Sequence, residues 1–258
     1  MLQDLGRLTM LTSLQVHVPP GLHMPASDLA VLASLVALQH LRIYGDFDGP
    51  AFPRFLGSMA QLTELRLNLT DQLRLKFGPP HELALGACTR LCSLWLRQCC
   101  PPPGWPAEPS SMTQLTELHI TACGWTELPR QLTALPALEV LDLSNNRLTG
   151  LPQLACLSSL RELSLEYNNL SEVPAVLGGG SASRLEKLLL VCNGVKYGHL
   201  GNAGVALLES LTALQTLSLS GVSIYYQRTL RGVGEHLRQA MLAGWSRVRF
   251  GKGFYYGG

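Results

Sequence analysis

The sequence predicts an α/β solenoid, in which short parallel strands alternate with helical or irregular returns and coil stacks on coil. Three observations predict it. Leucines alternate with polar residues and then yield to asparagines in "LEVLDLSNNRLTGLP", Leu138 to Pro152. A similar phrase returns as "LRELSLEYNNLSEVP", Leu160 to Pro174. Weaker copies tile nearly the whole chain at near-regular spacing, the signature of a repeat architecture.

Leu138, Leu141, Leu143, Asn146 and Leu148 define a template, L-x-x-L-x-L-x-x-N-x-L. It recurs at Leu160, Leu163, Leu165, Asn168, Leu170 and at Leu185, Leu188, Leu190, Asn193, Val195. Leu115, Leu118, Ile120, Cys123, Trp125 fits with cysteine in the asparagine slot, and Leu214, Leu217, Leu219, Val222, Ile224 with valine there. Toward the N-terminus the match weakens through Leu91-Leu94-Leu96-Cys99, Leu62-Leu65-Leu67 and Leu38-Leu41-Ile43 to Leu11-Leu14-Val16. The nine copies start at 11, 38, 62, 91, 115, 138, 160, 185 and 214, with steps of 22 to 29 residues.

Each template carries its own physics. Alternation places Leu141 and Leu143 on one face of a short strand and residues 140, 142 and 144 on the other. The asparagine comes where the strand turns away. Its amide both donates and accepts, so it can satisfy backbone groups of its own turn and of the neighbouring coil. Cys99 and Cys123 donate only weakly, and Val222 offers nothing, so those turns are expected to be held less firmly. Each coil buries its leucines only because neighbours exist. Strands sit about 4.8 Å apart whereas helices need about 10 Å, so the strand side is expected on the inside of a curve.

The returns differ along the chain. "LPRQLTAL" suits a short helix or 3₁₀ turns, and "GVALLESL" a genuine helix. "QCCPPPGWPAEPSS", Gln98 to Ser111, is too rich in proline for a regular helix. It reads as a solvated bulge, with a polyproline docking motif as the alternative. "GGGSAS", Gly178 to Ser183, reads as a flexible loop. From Tyr225 the leucine template stops. Leu230, Val233, Leu237 and Met241 then follow helical spacing, as expected of a helix covering the last coil. The division expected is residues 1–224 as solenoid and 225–258 as terminal helix and tail. That tail interleaves Trp245, Phe250, Phe254, Tyr255 and Tyr256 with Arg247, Arg249 and Lys252. It reads as a final strand or frayed end, with contact to a nucleic acid or anionic lipid as the alternative.

These motifs resemble the leucine-rich repeat family over nearly the whole chain. The pairs Leu128-Pro129, Leu151-Pro152 and Val173-Pro174 follow the asparagine or cysteine slot at one constant offset. That phrase is similar to the intracellular, Ras-suppressor-like subclass. "LGNAGVALLESL", Leu200 to Leu211, resembles the longer helix-bearing repeats of ribonuclease-inhibitor type. "LTGLP" is similar to the plant receptor phrase L-T-G-x-I-P but one residue short. The resemblance implies a right-handed, horseshoe-shaped solenoid of about nine repeats with a parallel concave sheet. It implies a non-catalytic scaffold for protein ligands, with roles ranging from small-GTPase or phosphatase regulation and innate-immune sensing to ubiquitin-ligase substrate recognition and ciliary axoneme assembly. The cytoplasm, with the cytoskeleton and axoneme as particular settings, is the location it suggests.

Bulk properties narrow the function classes. The 258 residues are 47% hydrophobic and 15% charged, which excludes charged disorder and allows a sizeable core. A net charge of +2 gives no global pull toward nucleic acid or membrane. No apolar run is long enough to cross a bilayer, and "MLQDLGRLTM" lacks the pattern of a secretory signal. The seven cysteines form no paired C-x-x-C, so they read as reduced thiols rather than zinc ligands. No G-x-S-x-G elbow, phosphate loop or H-E-x-x-H appears, so neither an enzyme nor a cofactor is expected. The chain opens almost inside a repeat. The expectation is a longer solenoid, or a first coil covered by a partner.

Binding is therefore sought on outward strand positions. The early coils offer His17, His40, Arg42, Tyr44, Arg66, Trp95, Arg97 and His119; the middle coils Asp142, Glu162 and Glu166; the later coils Leu189 and Val191. Trp, Tyr and Arg dominate binding hot spots. Trp95 flanked by Arg66 and Arg97 is the predicted centre of a protein-binding face that includes His40, Arg42, Tyr44 and His119, suited to an acidic segment. The alternative is a sheet that simply carries mixed polar residues. Cys99, Cys123, Asn146, Asn168 and Asn193 are predicted to form a structural ladder of turns.

Overall fold

A computed structural model describes residues 3–19, 22–48, 54–68, 85–99, 112–128, 132, 135–154, 158–193, 206–208, 210–218 and 248–249. These fall into two compact units. One holds Met1–Gly124 and Pro129–Leu138, the other Trp125–Leu128 and Glu139–Gly258.

In the first unit, strands β1 (Ser13–His17), β3 (His40–Tyr44), β5 (Glu64–Asn68), β6 (Ser93–Arg97) and β7 (Glu117–Thr121) pair in that order, all parallel. The register puts Leu14, Leu41, Leu65, Leu94 and Leu118 on one row. Two shorter strands, β2 (His23–Pro25) and β4 (Asp46–Asp48), pair separately. In the second unit β8 (Val140–Asp142), β9 (Glu162–Ser164), β10 (Lys187–Leu189), β11 (Thr216–Ser218) and β12 (Val248–Arg249) pair in the same parallel way. Leu141, Leu163, Leu188 and Leu217 share a row. Each of the nine template segments carries a strand, and the fold is a leucine-rich-repeat solenoid. The tail contributes Val248–Arg249 beside β11, as its reading as a final strand expects.

The core is the leucine ladder itself. Leu41, Leu65, Leu94, Leu118, Leu163 and Leu188 are fully buried. Leu14, in the edge strand β1, is only half-buried, whereas Val16 of the same strand is buried. Among the described residues the returns at Ala26–Ser34, Arg54–Ser58 and Ala175–Leu177 are 3₁₀. Leu132 lies in a 3₁₀ turn, and the described residues 206–208 and 210 are α-helical. The helix expected after Tyr225 and the proline-rich stretch from Cys100 to Ser111 lie outside the described residues.

The turn out of each strand repeats too. In the second unit Asn168 Nδ2 donates to the carbonyls of Leu165 in its own turn and Leu143 one coil back, and Oδ1 accepts from the Leu148 N–H. Asn193 does the same with Leu190, Leu165 and Leu170. Asn146 donates to Leu143 and Ser144 and accepts from Trp125 N–H. In the first unit the thiols of Cys99 and Cys123 reach Leu67 O and Leu96 O at 3.7 and 3.6 Å. A thiol is a weak donor, so these contacts are poor substitutes for an amide.

A feature invisible in the leucine pattern precedes every one of these slots. Gln98, Ala122, Asn145, Tyr167 and Cys192 all have φ between 53° and 58°, and Gly45 sits at the equivalent place with φ 115°. The left-handed twist aims the N–H of Gly45, Gln98, Asn145 and Tyr167 at the carbonyls of Asn68, Thr121, Glu166 and Val191 on the next coil. The ladder bond offsets the cost of placing an L-residue there. Ser144, expected to face outward, is buried instead. The strand ends at Asp142, whose side chain accepts the Ser144 N–H at 2.9 Å and folds it into the turn.

Candidate functional site

The exposed face of the first unit's sheet reads as three rows across the strands. Ser13, His40, Glu64, Ser93 and Glu117 form the first; Gln15, Arg42, Arg66, Trp95 and His119 the second; His17, Tyr44, Asn68, Arg97 and Thr121 the third. All seven residues of the predicted binding face lie here. Period-two alternation drives the leucines into the core and leaves these side chains outward.

Glu64, absent from the predicted set, organises the cluster. Its Oε1 accepts from Arg42 Nε at 2.8 Å and Arg66 Nε at 2.6 Å. Its Oε2 lies 3.4 Å from Arg42 Nη2 and 3.6 Å from His40 Nδ1. Burial pushes the Glu64 carboxyl up, but the hydrogen bond from Arg42 and the charge of Arg66 outweigh burial and hold it below its ordinary value. The Arg66 guanidinium also lies over the Trp95 ring, 4.2 Å from its centroid, in a cation–π contact. His119 stacks on Trp95 with centroids 3.5 Å apart and planes at 15°. Arg66 and His119 come from the strands on either side, so Trp95 is clamped between them. Its Nε1 donates to Ser93 Oγ at 2.8 Å, and Ser93 Oγ donates to Glu117 Oε2 at 3.0 Å.

Around this cluster the face is more open. Tyr44 stacks on His17 at 5.8 Å. Arg97 is exposed, one row beyond Trp95. The predicted flanking of Trp95 by two arginines is therefore unequal, with Arg66 locked against the ring and Arg97 reaching into solvent. The sign that would have found Glu64 was present: residues i and i+2 of a strand share a face, and Glu64 stands two before Arg66.

The second unit presents a different face. Val140, Glu162, Lys187 and Thr216 form one row, and Asp142, Ser164, Leu189 and Ser218 the next. Lys187 Nζ pairs with Glu162 Oε2 at 3.0 Å. Burial and then the charge of Asp142 raise the Glu166 carboxyl above its ordinary value, with Lys187 opposing. Leu189 and Val191 are half-buried. At the strand entrances Arg161 pairs with both Glu139 and Glu186. Among the described residues two basic positions, Lys187 and Arg249 opposite Ser218 in the register, stand against the acidic Asp142, Glu162 and Glu166, a balance opposite in sign to the first unit's.

Comparison with known proteins agrees with the fold. Residues 113–170 match the family model for the leucine rich repeat. No curated protein sequence matches the chain. Among solved structures the chain is similar to the leucine-rich-repeat protein LIC12759 of Leptospira interrogans, with 21% identity and a TM-score of 0.55, over 84% of this chain and 57% of that one. It is similar to InlP of Listeria monocytogenes at 20% identity and a TM-score of 0.56, with the same 84% and 57% coverage. It is also similar to the plant peptide hormone receptor RGFR1, solved in complex with RGF2, at 18% identity and a TM-score of 0.54, over 84% of this chain and 38% of that one. The chain thus spans under two thirds of the length of each. Such identities establish a shared fold.

Proposed function

We propose that this leucine-rich-repeat solenoid is a non-catalytic scaffold that holds a protein segment against the exposed sheet face of its first unit. The observation that carries the reading is the clamped ring of Trp95. Its neighbours fix its rotamer before any partner arrives, and an immobilised aromatic gives up little entropy on binding. Arg66 is likewise held, by Glu64 on one side and the ring on the other. Aromatic and arginine anchors of this kind dominate protein interfaces. The complex of RGFR1 with RGF2 gives a precedent on the same fold. The three guanidiniums of Arg42, Arg66 and Arg97 favour a partner bearing carboxylates.

The finer placement is ours as well. The recurring Leu-Pro and Val-Pro pairs after the turn slots support an intracellular, Ras-suppressor-like origin for the middle coils, and the helix near Leu208 supports a ribonuclease-inhibitor-like one for the later coil. A cytoplasmic setting follows from that likeness. The test is selection of binding peptides from a displayed random library, followed by amide hydrogen exchange of the complex. Protection gathered on 40–44, 64–68 and 93–97 supports the reading; protection confined to the second unit removes it.

A further inference from the structure

We infer that the partner segment is extended and acidic, and that Glu64 is a built-in competitor that sets how tightly the segment is held. The inference rests on the docking reading above. Glu64 Oε1 already occupies the place a partner carboxylate would take, between Arg42 Nε and Arg66 Nε at 2.8 and 2.6 Å. A carboxylate suits a guanidinium because both are planar and oppositely charged. Two guanidiniums drawn onto one carboxylate keep a positive excess, and Arg97 adds to it from the next row. Glu117, the other carboxylate of the face, is engaged with Ser93. Three guanidiniums thus stand against two carboxylates among the described residues of this face, whereas the second unit's face has the opposite excess.

Geometry sets the length of the occupant. Five strands about 4.8 Å apart present a row about 19 Å long, which an extended chain of about six residues spans. A segment crossing the strands meets Arg42, Arg66 and Arg97 in turn. Each partner carboxylate that engages Arg42 or Arg66 does so against the Glu64 charge, a few ångströms away. Glu64 therefore weakens the acidic segment while holding both arginines in place for it.

The experiment titrates the full chain against fluorescein-labelled hexaglutamate, with hexaglutamine and a twelve-residue oligothymidylate as separate probes. Wild type is expected to bind hexaglutamate, with hexaglutamine bound at least tenfold more weakly. Glu64→Gln is expected to bind hexaglutamate about fivefold tighter, in keeping with one charge removed near a solvated surface, and Arg97→Gln about fivefold weaker. Unchanged or weaker binding by Glu64→Gln overturns the inference, as does oligothymidylate bound as tightly as hexaglutamate. If Glu64→Gln does not melt cooperatively, Arg97→Gln decides, and unaltered affinity there overturns it. Should hexaglutamate bind no variant while a library-selected peptide still protects 40–44, 64–68 and 93–97, the acidic inference fails and the docking reading stands.

Discussion

Asn168 Nδ2 lies 2.9 Å from the carbonyl oxygen of Leu143, twenty-five positions earlier and one coil away. The same side chain accepts the backbone N–H of Leu148 and is almost fully buried. One amide therefore ties two coils together through both its ends.

Asn168→Leu is expected to destabilise the protein by roughly 1–3 kcal/mol, because buried backbone groups lose their partners and the bulkier apolar side chain offers none in return. Urea unfolding monitored by circular dichroism measures the loss. An unaltered midpoint would mean the amide is not needed for the stack.

Gly45 gives a second expectation. A Cβ built there would lie 2.5 Å from the Val18 carbonyl oxygen, at a φ of 115° that side chains rarely adopt. Gly45→Ala is expected to cost about 2 kcal/mol or more, from steric overlap and backbone strain together. Gly86→Ala is the control, since nothing lies within 4 Å of its Cβ position and its φ is not positive. Equal melting temperatures for the two variants would contradict the turn geometry.

Glu64 predicts a pH dependence. Its carboxyl is held below its ordinary value in the folded protein. A depressed carboxyl pKa contributes stability that is fully present above the unfolded value, about 4.3, and is lost as pH falls through the lower folded value. Wild type should therefore melt above Glu64→Gln at pH 7, with the gap closing as the solution is acidified below the ordinary carboxylate range. Thermal melts of both proteins between pH 7 and pH 3 check it. A gap independent of pH would show that the Glu64 charge adds nothing.

Much of the fold was legible in the sequence, for a physical reason. Period-two alternation and an amide at the strand exit are local features, so Leu141, Leu163, Leu188 and their asparagines could be placed on matching rows before any coordinates. The left-handed residues could not. Gly45 and Asn145 belong to types that tolerate positive φ, but Gln98, Ala122, Tyr167 and Cys192 do not advertise it. Gln98 and Tyr167 are held there by the ladder bond to the next coil, which is a property of the stack. Ser144 departs from the pattern for a similar reason, since the strand ends at Asp142 and Ser144, two positions on, follows the turn. On the candidate face, the outward rows were readable but their internal pairing was not. Arg42 and Glu64 stand twenty-two positions apart, and only the register sets them side by side.

The account stands most directly on the role of Trp95. The decisive measurement is the dissociation constant of a library-selected peptide for wild type and for Trp95→Ala, with both proteins shown to melt cooperatively. The account predicts a loss of about tenfold or more, the scale of an anchoring aromatic. Equal affinity for the two proteins would contradict it and take the docking site away from this face.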